Sequence, residues 1–112
     1  YALTFPERLP NDFKRTNLAV INNLSFFEPD FNKFECLKLA FEAMKTGGTA
    51  PCILNAANEI AVDKFLNKKI KFAQISDLIS KALDKIENHS DLDIETIFEC
   101  DRVTRELVNS LN

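Results

Sequence analysis

The sequence predicts a mainly α-helical fold, a small four-helix bundle at its C-terminal end preceded by an extended, irregular arm. Three observations predict it. From residue 35 onward apolar side chains recur with the helical period, which places them along one face of each segment. Short polar or glycine-containing stretches separate those segments, as helix ends require. Before residue 35 the period is absent, and three of the four prolines gather there.

The arm, residues 1–34, carries Pro6, Pro10 and Pro29. Each fixes its own φ and biases the residue before it away from helix. Asn11, Asp12, Asn17, Asn22 and Asn23 are turn formers. Yet six aromatic side chains lie between Tyr1 and Phe31, which a solvated linker would not carry. The alternation of Leu18 and Val20 predicts a short strand over residues 18–21. The arm is therefore expected to lie against a packed surface, of this domain or of a further part of the protein.

The bundle, residues 35–112, follows element by element. Phe34, Leu37, Phe41 and Met44, widened by Ala40, form the core-facing stripe expected for the first helix. Gly47-Gly48 stops it, because glycine supplies a left-handed C-terminal cap. Thr49 is predicted to cap the second helix, with Pro51 in its first turn, where a missing N–H costs nothing. Ile53, Ala57, Ile60, Ala61 and Phe65 line one side of that helix, and Asn67-Lys68-Lys69 ends it. Ile75, Leu78, Ile79, Ala82, Leu83 and Ile86 give the third helix the cleanest stripe, followed by an exit loop at Asn88-His89-Ser90. Asp93 caps the last helix, whose apolar positions are Ile94, Ile97, Phe98, Val103, Leu107 and Leu111. A distortion is expected near Cys100-Asp101, where that stripe is weakest. Isolated helices of such lengths are marginal in water, so mutual packing must stabilise them.

Composition narrows the function. Hydrophobic residues are 46% and charged residues 28%, values of an ordinary soluble domain. A net charge of −3 is too mild to attract nucleic acid or an anionic membrane, so neither is an expected partner. The longest aliphatic run, Leu18 to Ile21, is far short of a membrane span. Tyr1, in place of an initiator methionine and with no signal peptide behind it, predicts a piece of a longer chain or a processed product. Only two glycines occur, and they are adjacent. Dinucleotide folds and P-loops need spaced glycines so that phosphates can approach the backbone, so neither is built here. Three scattered cysteines, Cys36, Cys52 and Cys100, are odd in number and predict reduced thiols packed as small apolar groups. With His89 the only histidine, they do not make a zinc site.

The densest polar cluster on an apolar helix is Asn55, Asn58 and Glu59, spaced to share one face. Asparagine competes for backbone groups inside helices, so two of them ask for tertiary partners. The expectation is a buried, satisfied hydrogen-bond network that fixes how this helix meets loops or a neighbouring domain. A ligand or metal site of two amides and one carboxylate is the sharper alternative, but amides are poor acid–base groups. Asp91 and Asp93, beside His89, read as caps and loop solvation, since a calcium loop needs a central glycine and a closing bidentate Glu. Lys64, Lys68, Lys69 and Lys71 read as a basic patch at the end of the second helix. No nucleophile has a local base. No catalytic, cofactor-binding or metal residue is assigned in this chain.

One stretch carries more. Leu54-Asn55-Ala56-Ala57-Asn58-Glu59-Ile60-Ala61-Val62, followed by Phe65-Leu66, closely resembles the C-terminal region of the 1-deoxy-D-xylulose 5-phosphate reductoisomerase family. Tyr1-Ala2-Leu3-Thr4-Phe5-Pro6-Glu7-Arg8 resembles the end of that family's catalytic domain. Leu24-Ser25-Phe26, Pro29-Asp30 and the run from Phe34 to Ala40 resemble its linker and first bundle helix. Gly47-Gly48-Thr49-Ala50-Pro51 and Ile70-Lys71-Phe72 fit as well, while Glu35 stands where the family usually has proline. The resemblance implies a parent enzyme that converts 1-deoxy-D-xylulose 5-phosphate to 2-C-methyl-D-erythritol 4-phosphate, with NADPH and Mg²⁺ or Mn²⁺, in the non-mevalonate route to isoprenoids. It implies that residues 1–34 link to the catalytic domain and that residues 35–112 are a supporting bundle. This piece alone is then expected to bind neither cofactor nor metal and to be inactive. Its implied partners are the catalytic and NADPH-binding domains of the same chain, in a homodimer, in bacterial cytoplasm or a plastid or apicoplast stroma. The competing expectation is a stand-alone helical interaction module whose aromatic arm docks on a partner.

Overall fold

A computed structural model describes residues 1–111. Within them the elements are α1 (Leu18–Ile21), α2 (Glu35–Thr46), α3 (Ala50–Leu66), α4 (Gln74–Lys85) and α5 (Ile94–Ser110), with no strand among the described residues. Helices α2 to α5 form the bundle. The middle helix, α3, touches each of the other three. Its Ala56, Ala57 and Ala61 are 0% exposed, and their lack of side-chain bulk lets neighbouring backbones approach closely. Ile53 of α3 and Leu78, Ile79 and Ala82 of α4 complete the centre of the core, as the α4 stripe predicts.

The arm departs from its expected strand. Residues 18–21 wind into the single turn α1. A strand needs a ladder partner, and none lies beside it among the described residues. Asn17 instead accepts a hydrogen bond from the Ala19 N–H at 3.0 Å, and Asn22 closes the turn at φ 63°. Apart from its last few residues, the arm does not lie against this bundle either. Nearly all of residues 1–34 are exposed, Phe26 and Phe27 by 87% and 88%.

Helix α2 turns differently from its expected stripe. Leu39 and Ala43, four residues apart, face the core, while Phe34, Leu37, Phe41 and Met44 stay at the surface. The inward pair is the smaller one, matched to the alanine face of α3, and the bulkier row is left outside. Phe31 of the arm packs edge-on against Phe41, ring centroids 6.0 Å apart.

Gly47 and Gly48 both adopt left-handed backbone, at φ 70° and 61°. A Cβ on Gly48 would sit 2.5 Å from the His89 carbonyl oxygen, so the close approach of the α4–α5 loop also demands glycine. That loop corrects the expected cap of α3. Thr49 does not cap with its own hydroxyl. The Asn88 carboxamide oxygen accepts from the Ala50 N–H at 3.0 Å and from the Thr49 hydroxyl at 3.2 Å. The Thr49 oxygen in turn accepts from the His89 N–H at 3.0 Å.

Helix α5 runs unbroken through Cys100 and Asp101, without the expected distortion. Its buried face is Cys100, Thr104 and Val108 rather than Ile94, Ile97 and Phe98. A polar residue fits that face because the Thr104 hydroxyl donates to the Cys100 carbonyl at 2.7 Å. Asp93 caps α5 as predicted, accepting from the Thr96 N–H at 2.6 Å. The bond holds its carboxyl below the usual range. The cysteines are free, but only Cys100 is buried; Cys52 is half-buried and Cys36 exposed, because the start of α2 is uncovered.

Lys64 leaves the expected basic patch. It is 7% exposed, and its ammonium donates to the carbonyls of Val108 (2.7 Å), Asn109 (3.1 Å) and Leu111. A helix leaves its last carbonyls unpaired and carries partial negative charge there, which a cation satisfies. Lys64 thereby ties the end of α3 to the end of α5. Replacing it by methionine keeps the apolar stem and removes all three donors. The Lys64→Met chain should lose about 2–3 kcal/mol in urea unfolding, the worth of charge-assisted bonds left unmade. An unchanged midpoint would contradict this assignment.

Candidate functional site

The polar cluster on α3 divides between two surroundings. Asn55 and Glu59 are exposed and lie one turn apart. The Asn55 amide donates to one Glu59 oxygen at 3.2 Å, and Arg105 of α5 donates to the other at 2.7 Å. Arg105 is held in turn by Asp101, through Nε at 2.7 Å and Nη2 at 3.0 Å. The fork of one guanidinium thus spans two carboxylates and ties α3 to α5. Arg105 holds the Glu59 carboxyl below the usual range, first by the hydrogen bond and then by its charge, with Asn55 adding a further bond. Both carboxylates hold Arg105 more firmly protonated than usual.

Asn58 is half-buried and belongs to a different place. It lies in a groove where the end of the arm, the start of α2, the middle of α3 and the start of α4 meet. Among the described residues its carboxamide has no hydrogen-bonding partner, unlike that of Asn55. The predicted three-residue set is therefore brought together in sequence and on the helix, but not in one network.

Chemically, the Asn55–Glu59–Arg105–Asp101 set is committed to itself. The carboxylate is held charged and the guanidinium is occupied, so neither suits proton transfer near neutral pH. Burial first, and the Cys100 thiol beside it second, push the Cys52 thiol up to about 11, which leaves it protonated and unreactive at neutrality. His89 contributes backbone groups to the α2–α3 clamp, and Asp93 caps α5. No group of three or more His, Cys, Asp or Glu side chains is placed to hold a metal ion among the described residues. Both glycines are spent on the α2–α3 turn, so the described residues build no glycine-rich pyrophosphate loop.

Sequence reasoning passed over Arg105 and Asn88. The spacing of Asp101 and Arg105, four apart on α5, signals a pair but not its reach to α3. Nothing in the neighbourhood of Asn88 reveals that it caps a helix beginning 38 residues earlier.

The sequence model of the family described as DXP reductoisomerase C-terminal domain matches residues 1–107. The 1-deoxy-D-xylulose 5-phosphate reductoisomerase of Bacillus subtilis strain 168 is 49% identical over 112 residues, covering 99% of this chain and 29% of that protein. The protein of the same name from Endomicrobium trichonymphae is 45% identical over 111 residues, with the same coverage of both chains. Among solved structures, the Zymomonas mobilis reductoisomerase in complex with NADPH superposes with a TM-score of 0.82 at 35% identity. The match covers 97% of this chain and 29% of that one. A DOX-P reductoisomerase in complex with magnesium gives 0.79 at 35% identity, covering 97% and 30%. The chain thus spans less than a third of the length of the relatives it matches.

The Glu59–Arg105 tie has a pH signature. A carboxyl depressed on folding stabilises fully above its ordinary value of 4.5 and loses that contribution as pH falls through the lowered value. Glu59→Gln should therefore melt slightly below wild type at pH 7, by a margin that salt reduces, since the pair is exposed. The gap should close as pH falls below 4.5. A gap that widens in acid would refute the tie.

Proposed function

The chain belongs to the family of DXP reductoisomerase C-terminal domains, and from that premise we propose that it is the supporting, non-catalytic end of such an enzyme. The parent would convert 1-deoxy-D-xylulose 5-phosphate to 2-C-methyl-D-erythritol 4-phosphate in the non-mevalonate route to isoprenoids. It would use NADPH and Mg²⁺ or Mn²⁺, act as a homodimer, and reside in bacterial cytoplasm or a plastid or apicoplast stroma. Relatives solved with NADPH and with magnesium support the cofactor assignment. Among the described residues no group of three or more His, Cys, Asp or Glu is placed to hold a metal ion and both glycines are taken up in one turn, so in this reading both groups would be held by parts of the parent outside this chain. No helix among the described residues is long and apolar enough to cross a membrane.

In this reading residues 1–34 link the bundle to the catalytic domain, and residues 35–112 brace it. The observation that carries the bracing role is the apolar surface left outside a bundle whose core is already closed. It includes Phe26, Phe27 and Phe31 in the arm and Phe41 and Met44 on the outer face of α2. The two groups meet where Phe31 packs against Phe41, and exposed apolar side chains in this number mark a contact face. Asn55, Glu59 and Arg105 support the role from within by setting α5 against α3, so that the braced face keeps its shape.

Two measurements test this. The purified 112-residue chain, given substrate, Mg²⁺ and NADPH, should oxidise no NADPH, whereas the parent should. Phe41, 51% exposed here, should be covered in the parent. Phe41→Ser should then cost the parent about 1–3 kcal/mol and the 112-residue chain much less. NADPH oxidation by the short chain, or an equal cost in both proteins, would overturn the reading.

A further inference from the structure

The groove that holds Asn58 has a volume of about 680 Å³. Its walls are apolar: Phe34 at the end of the arm, Leu37 on α2, Val62 on α3, and Phe72 and Ile75 at the start of α4. Phe72 is 74% exposed, and its ring meets Phe65 edge-on, centroids 5.7 Å apart. The charges at the rim, Lys33, Glu35 and Asp77, are mixed in sign and select no anion or cation.

Asn58 is the unspent group of this groove. Its carboxamide offers one acceptor and a two-hydrogen donor, the same complement that a backbone peptide unit presents in reverse. Among the described residues no buried side-chain nitrogen or oxygen lacks a partner, so in the 112-residue chain the Asn58 carboxamide is left to water and is free to pair with an incoming group. Apolar walls around one amide are suited to an extended peptide, with side chains between the rings and a peptide group on the amide.

The position of the groove points to where that peptide comes from. One wall is the end of the arm itself. On the proposed reading the arm joins the bundle to the rest of a longer protein, as its relatives are more than three times the length of this chain. A segment tethered through the arm meets the groove at an effective concentration of about millimolar, far above that of a free partner.

We propose that this groove is a docking cleft for an extended apolar segment of the parent chain lying outside these 112 residues, with Asn58 pairing to its backbone. The proposal rests on the reading that the chain is the C-terminal part of a longer enzyme. It adds a specific contact to the bracing role.

Cys36 is exposed at the mouth of the groove and serves as the probe. Maleimide labelling resolved by mass spectrometry should be at least about tenfold slower at Cys36 in the full-length parent than in the 112-residue chain, because the docked segment blocks access to the thiolate. Asn58→Leu in the parent should raise the rate toward that of the short chain. The same substitution should leave the melting temperature of the short chain unchanged, since Asn58 has no partner there. Equal labelling of the two wild-type proteins would overturn the proposal. So would an Asn58→Leu penalty in the short chain as large as in the parent, or Cys36 protection in the short chain that grows with its concentration, which would identify the occupant as a second copy. If Cys36 labels equally while Phe41→Ser still destabilises only the parent, the bracing role stands and the cleft assignment fails. If neither differs, both fail.

Discussion

The close approach of three helices to α3 is the constraint on which the rest of the bundle depends. A helix that meets neighbours on several sides cannot carry large side chains on all of them at normal packing density. Ala50, Ala56, Ala57 and Ala61 meet that demand, and Ile53 supplies the one large buried group of its N-terminal half. The stretch from Asn55 to Glu59 looks like a polar motif, but its structural part is the pair of alanines inside it. The polar residues occupy the positions that the alanines leave facing outward.

From that centre, two ties fix the other helices. The Asn88 carboxamide and the His89 backbone clamp the α4–α5 loop onto the start of α3, which is why Gly48 has no room for a Cβ. Lys64 gathers the terminal carbonyls of α5 at the other end of α3. Both ties pair groups that helix ends leave unsatisfied, so they add specificity where apolar contact alone would permit sliding. The salt bridges from Arg105 to Glu59 and Asp101 lie outside them and are partly solvated, so they set alignment more than stability.

Much of this was legible in the sequence. Four helices, their turns at Gly47-Gly48 and Asn67, the Asp93 cap and the α4 stripe all follow from local rules that this chain obeys. What failed was the choice of face. On α2 and α5 the largest apolar residues, Phe41, Met44, Ile94 and Phe98, were expected inside, and the small ones, Ala43, Cys100 and Thr104, are inside instead. Periodicity reports that a face is apolar without saying which of two apolar faces meets α3, and the alanines of α3 decide that. In the proposed reading the rows left outside are surfaces for the rest of a longer protein to cover, which the period of one chain's apolar residues does not reveal. Lys64 was misread for a related reason: its role depends on α5, more than 40 residues away.

The central claim is that α3 organises the bundle and that the outer face of α2 and the arm add nothing to its closure. Native-state hydrogen exchange of the 112-residue chain tests it most directly, because protection ranks segments by the free energy of opening them. The slowest amides should lie in α3 between Ala56 and Ala61, at the level of global unfolding, with the facing turns of α4 and α5 next. Those of α1 and of the arm should exchange without measurable protection. Amides of α3 that exchange as fast as those at the start of α2, or strong protection in the arm, would contradict the account.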